Sequence, residues 1–325
     1  MEILKEEYAS GDLLDLIIGN LQREKGSELN AFLTNVTFNK KLTGVQSNIH
    51  CYMIGFNGND QPRVKDLARA VAARLIDYAI PRSEIMEAQE KDQKSNTTVN
   101  TVELKMKAKQ LFTSLKKSGE GGEMLLYMLV QAFLGLPQLL CKMPLKTSSE
   151  MHYHGADGIH IGYDRNTKKL ALYWGESKLY KSFDSALKNC LDSLKPFLFD
   201  DGGTQASQNR DLQLITDNLD LCNEELEDAI LDFLNPNSPS FKKMQYRGVC
   251  LIGFDNGAYP LVPNSKDEDS VLNEIKDELG RWEKKLEKQI KNRTPLDSFI
   301  LEVFLVPFPC VKTFRDSFLG ELANV

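Results

Sequence analysis

Positive charge is what this chain has too little of. Its 40 lysines and arginines are outnumbered by 46 aspartates and glutamates, giving a formal net charge of −6 over 325 residues. Non-specific affinity for nucleic acid comes mostly from cations meeting phosphates, so a role on DNA would need a partner that delivers the substrate. Two runs do concentrate cations, Lys105-Met106-Lys107-Ala108-Lys109 with Lys116-Lys117, and Arg281 through Arg293. Glu283 and Glu287 interleave with the second, the usual pattern of a solvated helix face. Long apolar runs are missing too, and none approaches the roughly 20 residues that span a bilayer. Met1-Glu2-Ile3-Leu4-Lys5-Glu6-Glu7 does not read as a secretion signal. The six cysteines are scattered without zinc-like spacing, so reduced thiols in a cytoplasmic protein with no membrane contact are expected. Neither a Gly-x-Ser-x-Gly elbow nor a phosphate-binding loop occurs, which argues against a serine hydrolase and against NTP hydrolysis by this chain. Histidine is scarce. Of the four present, His152, His154 and His160 lie near Asp157, and a His-x-His pair can hold zinc, but no clear third ligand accompanies them.

What the chain does have is an alternating hairpin. Residues 156–163 and 169–178 read as strands separated by the turn signal Asp164-Arg165-Asn166-Thr167. Centring the turn between Arg165 and Asn166 pairs Ile161 with Leu170, Ile159 with Leu172 and Asp157 with Trp174. Alternation then places Trp174, Glu176 and Lys178 on the face of Asp157, with Ser177 and His160 turned away. Two carboxylates held close repel each other unless a cation lies between them. Together they suit a hard ion such as Mg²⁺, which keeps several waters and binds phosphate. Metal-bound water is a nucleophile at neutral pH, and a nearby lysine orients it or neutralises developing charge. The pattern points to phosphodiester hydrolysis.

These residues resemble the PD-(D/E)xK nuclease superfamily. Asp157 and Glu176-Ser177-Lys178 match its motif, with Ala156 where the motif's name has proline. More narrowly, Ala156-Asp157-Gly158-Ile159, the run Gly175-Glu176-Ser177-Lys178-Leu179-Tyr180 and the helix from Ser185-Ala186-Leu187 resemble the HamA family over about residues 120–255. That family supplies the nuclease effectors of the bacterial Hachiman anti-phage system. The resemblance implies an α/β fold with a restriction-endonuclease-like core, a mixed sheet flanked by helices. It also implies a Mg²⁺-dependent deoxyribonuclease, with Mn²⁺ as a substitute, acting on DNA under the control of a superfamily-two helicase of the HamB type. A further carboxylate is implied from the first core helix. Glu123, which opens the apolar run Met124 to Val130, is the preferred candidate and Glu120 the second. The expected metal ligands are therefore Asp157, Glu176 and Glu123, and Lys178 is the expected catalytic cation. Against this, both glutamates would favour the positive end of a helix dipole in any case. The rival reading of the whole chain is a catalytically silent nuclease-fold module that docks a helicase or binds DNA.

The rest of the chain yields organisation. Phe183, Leu187, Cys190, Leu191, Leu194 and Leu198 fall at helical spacing, with Pro196 as the expected stop. Upstream, 45–56 reads as a strand, 63–79 as a helix and the polar stretch 89–100 as a loop or frayed helix end. Downstream come helices near 209–234, a buried strand at 248–254, a charged helix over 268–292 and a last strand at 299–307. The expected division is an accessory α/β region over 1–100, a nuclease core over 101–260 with a helical insertion at about 200–245, and a C-terminal helix and strand over 261–325. The apolar strands near 49–56 and 301–306 are expected to share an auxiliary sheet that joins the two ends.

Overall fold

Four strands that are mostly apolar along their whole length lie parallel at the centre of one sheet. They are β2 (Ser47–Ile54), β4 (Lys169–Tyr180), β5 (Met244–Asp255) and β6 (Leu301–Phe308). Parallel strands are covered on both faces, which is why continuous apolar runs rather than strict alternation mark them. Two further strands, β1 (Leu33–Lys41) and β3 (Gly158–Asp164), add antiparallel at the edges, so the order is β1-β2-β6-β5-β4-β3. These elements are seen in a computed structural model that describes residue 14 and residues 18–23, 28–113, 119–146, 155–199, 207–262 and 265–324. The outer edge of β3 is covered by an irregular segment: Leu139 N–H donates to Ile159 O and Ile161 N–H to Pro137 O.

Helices cover both faces. Before the hairpin come α1 (Val64–Ala73), α2 (Leu75–Ala79), α3 (Arg82–Ser95), α4 (Val99–Thr113), α5 (Glu120–Leu134) and the single turn α6 (Met143–Lys146). After it come α7 (Phe183–Leu198), α8 (Ser207–Asn218), α9 (Glu224–Leu234), α10 (Glu268–Lys291) and α11 (Val311–Asn324). Helix α5 is buried from Glu120 to Gln131 and lies against β4. A Cβ on Gly122 would sit 2.9 Å from Leu179 Cδ1, so the missing side chain is what lets the first turn of α5 approach that strand. On the opposite face α7 packs on β4 and β5, and Phe183, Phe254 and Trp282 join it to α10 through edge-on rings 4.9 Å apart. Among the described residues no helix is long and apolar enough to cross a membrane.

Several sequence expectations change. The strands from the two ends do pair, Ser47 opposite Leu301 through Cys51 opposite Leu305, but β6 also pairs with β5. The expected auxiliary sheet is therefore a continuation of the hairpin's own sheet. Edge strand β1 and helix α11 are additions to the expected elements. The 63–79 helix breaks at Arg74, whose backbone leaves the helical region. Pro196 does not stop α7, which continues to Leu198; in the last turn the missing N–H costs one hydrogen bond rather than the helix. The polar stretch 89–100 is mostly helical. Asn96 ends α3 in the left-handed conformation, and buried Asp92 accepts from the N–H groups and side chains of Asn100 and Thr101, anchoring α4.

Candidate active site

The site is built at the open end of the β3–β4 hairpin, and its register differs from the expected one by two residues. Ile159 lies opposite Trp174 and Ile161 opposite Leu172. The turn is later than its composition suggests because Asp164 still pairs with Lys169. Its Oδ1 accepts from Asn166 and Thr167 N–H, Arg247 holds its other oxygen, and Lys168 takes the left-handed conformation that closes the loop. A two-residue shift preserves which residues share a face. Trp174, Glu176 and Lys178 still point together, and Lys178 Nζ forms an ion pair with Glu176 Oε1.

Asp157 departs from simple alternation. Its N–H donates to Gly175 O (2.8 Å) while Gly158 is the residue paired with Gly175, so two residues oppose one, the pattern of a β-bulge. Bulges re-aim side chains. The Asp157 carboxylate turns toward Ser177, accepting from its N–H (2.7 Å) and its Oγ (2.8 Å), where a further strand residue would have offered a carbonyl. The expectation that Asp157 shares one face with Glu176 and Lys178 is corrected accordingly: it sits at the rim between the two faces, still close enough to act on both charges.

Glu123, in the first turn of α5, is buried and accepts a 2.9 Å hydrogen bond from the Tyr78 hydroxyl. That hydroxyl is also 3.5 Å from Asp157 O, which ties α2 and α5 to the hairpin mouth. Glu120 is buried one turn earlier in the same helix. Burial first, and then the carboxylates of Glu123 and Asp157, push the Tyr78 phenol well above its ordinary range. Burial, then Asp157, raises Glu176 to about 8, with Lys178 opposing and Glu123 adding to the shift. Burial works against the Lys178 charge, but Asp157 and then Glu176 outweigh it and hold its ammonium above the ordinary lysine value. Three carboxylates and one lysine thus share a poorly solvated corner, and the negative groups are in excess.

The residue before Asp157 is clamped from outside the motif. Lys142 Nζ donates to Ala156 O (2.7 Å) and lies 3.2 Å from Asp211 Oδ2, and Ala156 N–H points at the same carboxylate (3.4 Å). Both side chains are almost wholly buried, and Asp211 comes from α8. Sequence reasoning missed Lys142, Asp211 and Tyr78, whose neighbours carry no motif. It assigned Ser177 to the opposite face without seeing that the bulge brings Asp157 to it.

His160 stands apart. It is fully buried, its Nδ1–H meets Leu136 O at 3.0 Å, and burial lowers its pKa to about 4, so it is a neutral core residue. His152 and His154 lie outside the described residues. The carboxylates have the right chemistry for a hard divalent cation, but in the free chain each is engaged by a neighbouring donor. Among the described residues no group of three histidine, cysteine, aspartate or glutamate side chains is placed to hold a metal ion. Ser177 holds an oxygen of Asp157, Lys178 one of Glu176 and Tyr78 one of Glu123.

The HamA family model matches residues 30–322, nearly the whole of the described sheet and its helices. The chain belongs to the HamA family. The match runs from before β1 to within α11, so in this family the strands from both ends belong with the hairpin. No curated protein matches the chain.

Proposed function

We propose that this HamA-family chain is, by itself, a silent nuclease-fold subunit that docks a superfamily-two helicase and meets DNA through it. In that complex the Asp157 and Glu176–Lys178 strands hydrolyse DNA phosphodiesters in anti-phage defence. The observation that supports a hydrolytic site is the convergence of Asp157, Glu176 and Lys178 at the hairpin mouth, with Glu123 close enough to act on Glu176. Burying excess carboxylate costs stability that a bare structural role does not repay. For the free chain the silent reading is the better supported, because among the described residues no group of three metal-binding side chains is placed to hold an ion. Mg²⁺, or Mn²⁺ in its place, supplies a water of lowered pKa when bound. The chain's own contribution is Lys178, the cation of the cluster, which balances charge developing on phosphoryl oxygens once Glu176 takes another partner. The net charge of −6 supports delivery of DNA by the helicase rather than by the chain's own surface.

The test uses the chain assembled with its helicase, on linear double-stranded DNA with Mg²⁺. Glu176→Ala and Lys178→Ala are each expected to slow cleavage roughly 10²-fold or more, with helicase binding and melting temperature retained. Cleavage at the unsubstituted rate by either variant would rule out hydrolysis at this strand and leave docking as its role.

A further inference from the structure

Tyr127, packed edge-on against Tyr78 at 5.4 Å, also lines a separate cavity of about 270 Å³ that the nuclease reading does not use. Arg23 and Arg82 both face this cavity. Neither has an ion-pair partner among the described residues: Arg23 Nη1 donates to Asp77 O (2.6 Å) and Arg82 Nη2 to Leu21 O. Burial first, and then the charge of Arg23, pull Arg82 down to about 10. Two neighbouring guanidiniums, offset by Asp220 but paired with no carboxylate among the described residues, disfavour each other, and arginine forks are the usual partners of planar or tetrahedral oxyanions. The acidic groups nearest them are otherwise engaged. Asp220 accepts from Ser83 N–H and Oγ, and Glu84 pairs with Lys107.

Gln131 adds an independent sign of a ligand. It is wholly buried in the cavity wall, its carbonyl O accepts from Gln22 Nε2 and its Oε1 from Arg23 N–H. Its Nε2 makes no hydrogen bond of normal geometry, so one donor is left over. The cavity is too large for a phosphate alone and near the lower end of small-molecule pockets. Ile80, Leu139, Leu145 and Leu219 give the cavity an apolar wall beside the cationic end.

We infer that this cavity binds a nucleoside monophosphate, either free or as the 5′-phosphorylated end of a strand. Two arginines match the charge of one phosphate monoester, about −1.5 to −2 at neutral pH. The spare Gln131 donor takes an acceptor on the ligand. This holds whether or not the hairpin cleaves DNA.

Titration calorimetry on the full chain tests it with dAMP, inorganic phosphate, and one short single-stranded oligonucleotide carrying either a 5′-phosphate or a 5′-hydroxyl. Saturable binding of dAMP at one site is expected, tighter than phosphate, and weakened about tenfold or more by Arg23→Gln and by Arg82→Gln. Should Arg82→Gln fail to fold, because its contact with Leu21 is lost, Arg23→Gln and Gln131→Leu decide the matter. Oligonucleotide binding that requires the 5′-phosphate assigns the site to strand ends; dAMP binding without oligonucleotide binding assigns it to the free nucleotide. Absence of binding by dAMP and by the phosphorylated oligonucleotide, or binding indifferent to these substitutions, would overturn the inference.

Discussion

Asp157, Glu176 and Glu123 are each held by a different neighbour: Ser177, Lys178 and Tyr78. Removing one hydroxyl takes a donor from the carboxylate while leaving almost no void, although in Ser177→Ala the backbone N–H still bonds Asp157 Oδ2. Ser177→Ala and Tyr78→Phe are therefore each expected to cost about 1 kcal/mol of stability, and to show a larger rise in melting temperature on adding Mg²⁺ than the unsubstituted chain. Melting curves with and without the ion check this, and identical rises in the variants and the unsubstituted chain would contradict it. His160 makes a second residue-level prediction. Burial, aided by Lys142 and opposed by the Leu136 carbonyl, sets its folded pKa near 4 against 6.5 for the free side chain. The unfolded chain then takes up the proton first, so the stability this residue contributes is complete above pH 6.5 and is lost as pH falls toward 4. The loss amounts to about 3 kcal/mol. His160→Asn keeps a donor for Leu136 and cannot titrate, so denaturant unfolding between pH 7 and 4 should show the variant losing that much less. Equal losses would sink the assignment. The pairing of Glu176 with Lys178 was legible at this scale because period-two alternation is local. The contact of Tyr78 with Glu123 was not, since it joins helices 45 residues apart through a hydroxyl that no motif marks.

At the scale of elements, the hairpin shows what local pattern decides and what it leaves open. Apolar alternation fixed the faces of β3 and β4, but Asp164 could read equally as turn or strand. Its bond to Arg247, distant in sequence, resolved that in favour of strand. The bulge at Asp157 depends likewise on tertiary contacts, above all the Lys142–Asp211 clamp on Ala156. Breaking a buried pair by removing one partner leaves the other charge uncompensated. Lys142→Met and Asp211→Asn are each expected to cost about 3 to 5 kcal/mol, and replacing both by apolar residues less than the two combined. Urea unfolding of the single and double variants measures this, and strict additivity would show that the two side chains act separately. Because Asp211 rides on α8, the same variants ask whether that helix helps position the hairpin mouth.

At the scale of the molecule, one sheet runs from β1, near the start of the chain, to β3 at the hairpin edge, with the last strand β6 at its centre. Composition suggested three segments, because polar stretches and turn signals interrupt the pattern between strands. Strand order is invisible to such signals: it is set by which apolar faces meet. A shared sheet should unfold as a unit, so tryptophan fluorescence and far-ultraviolet circular dichroism are expected to give coincident urea transitions. Separate midpoints would indicate independent units. The net charge of −6 and the engaged carboxylates support the same proposal, that the free chain is silent and acts with a partner. The most direct measurement compares plasmid degradation in Mg²⁺ by the chain alone and by the chain with the proposed helicase partner and ATP. The account predicts intact plasmid with the chain alone and Mg²⁺-dependent degradation with the complex. Strong degradation by the isolated chain would contradict it.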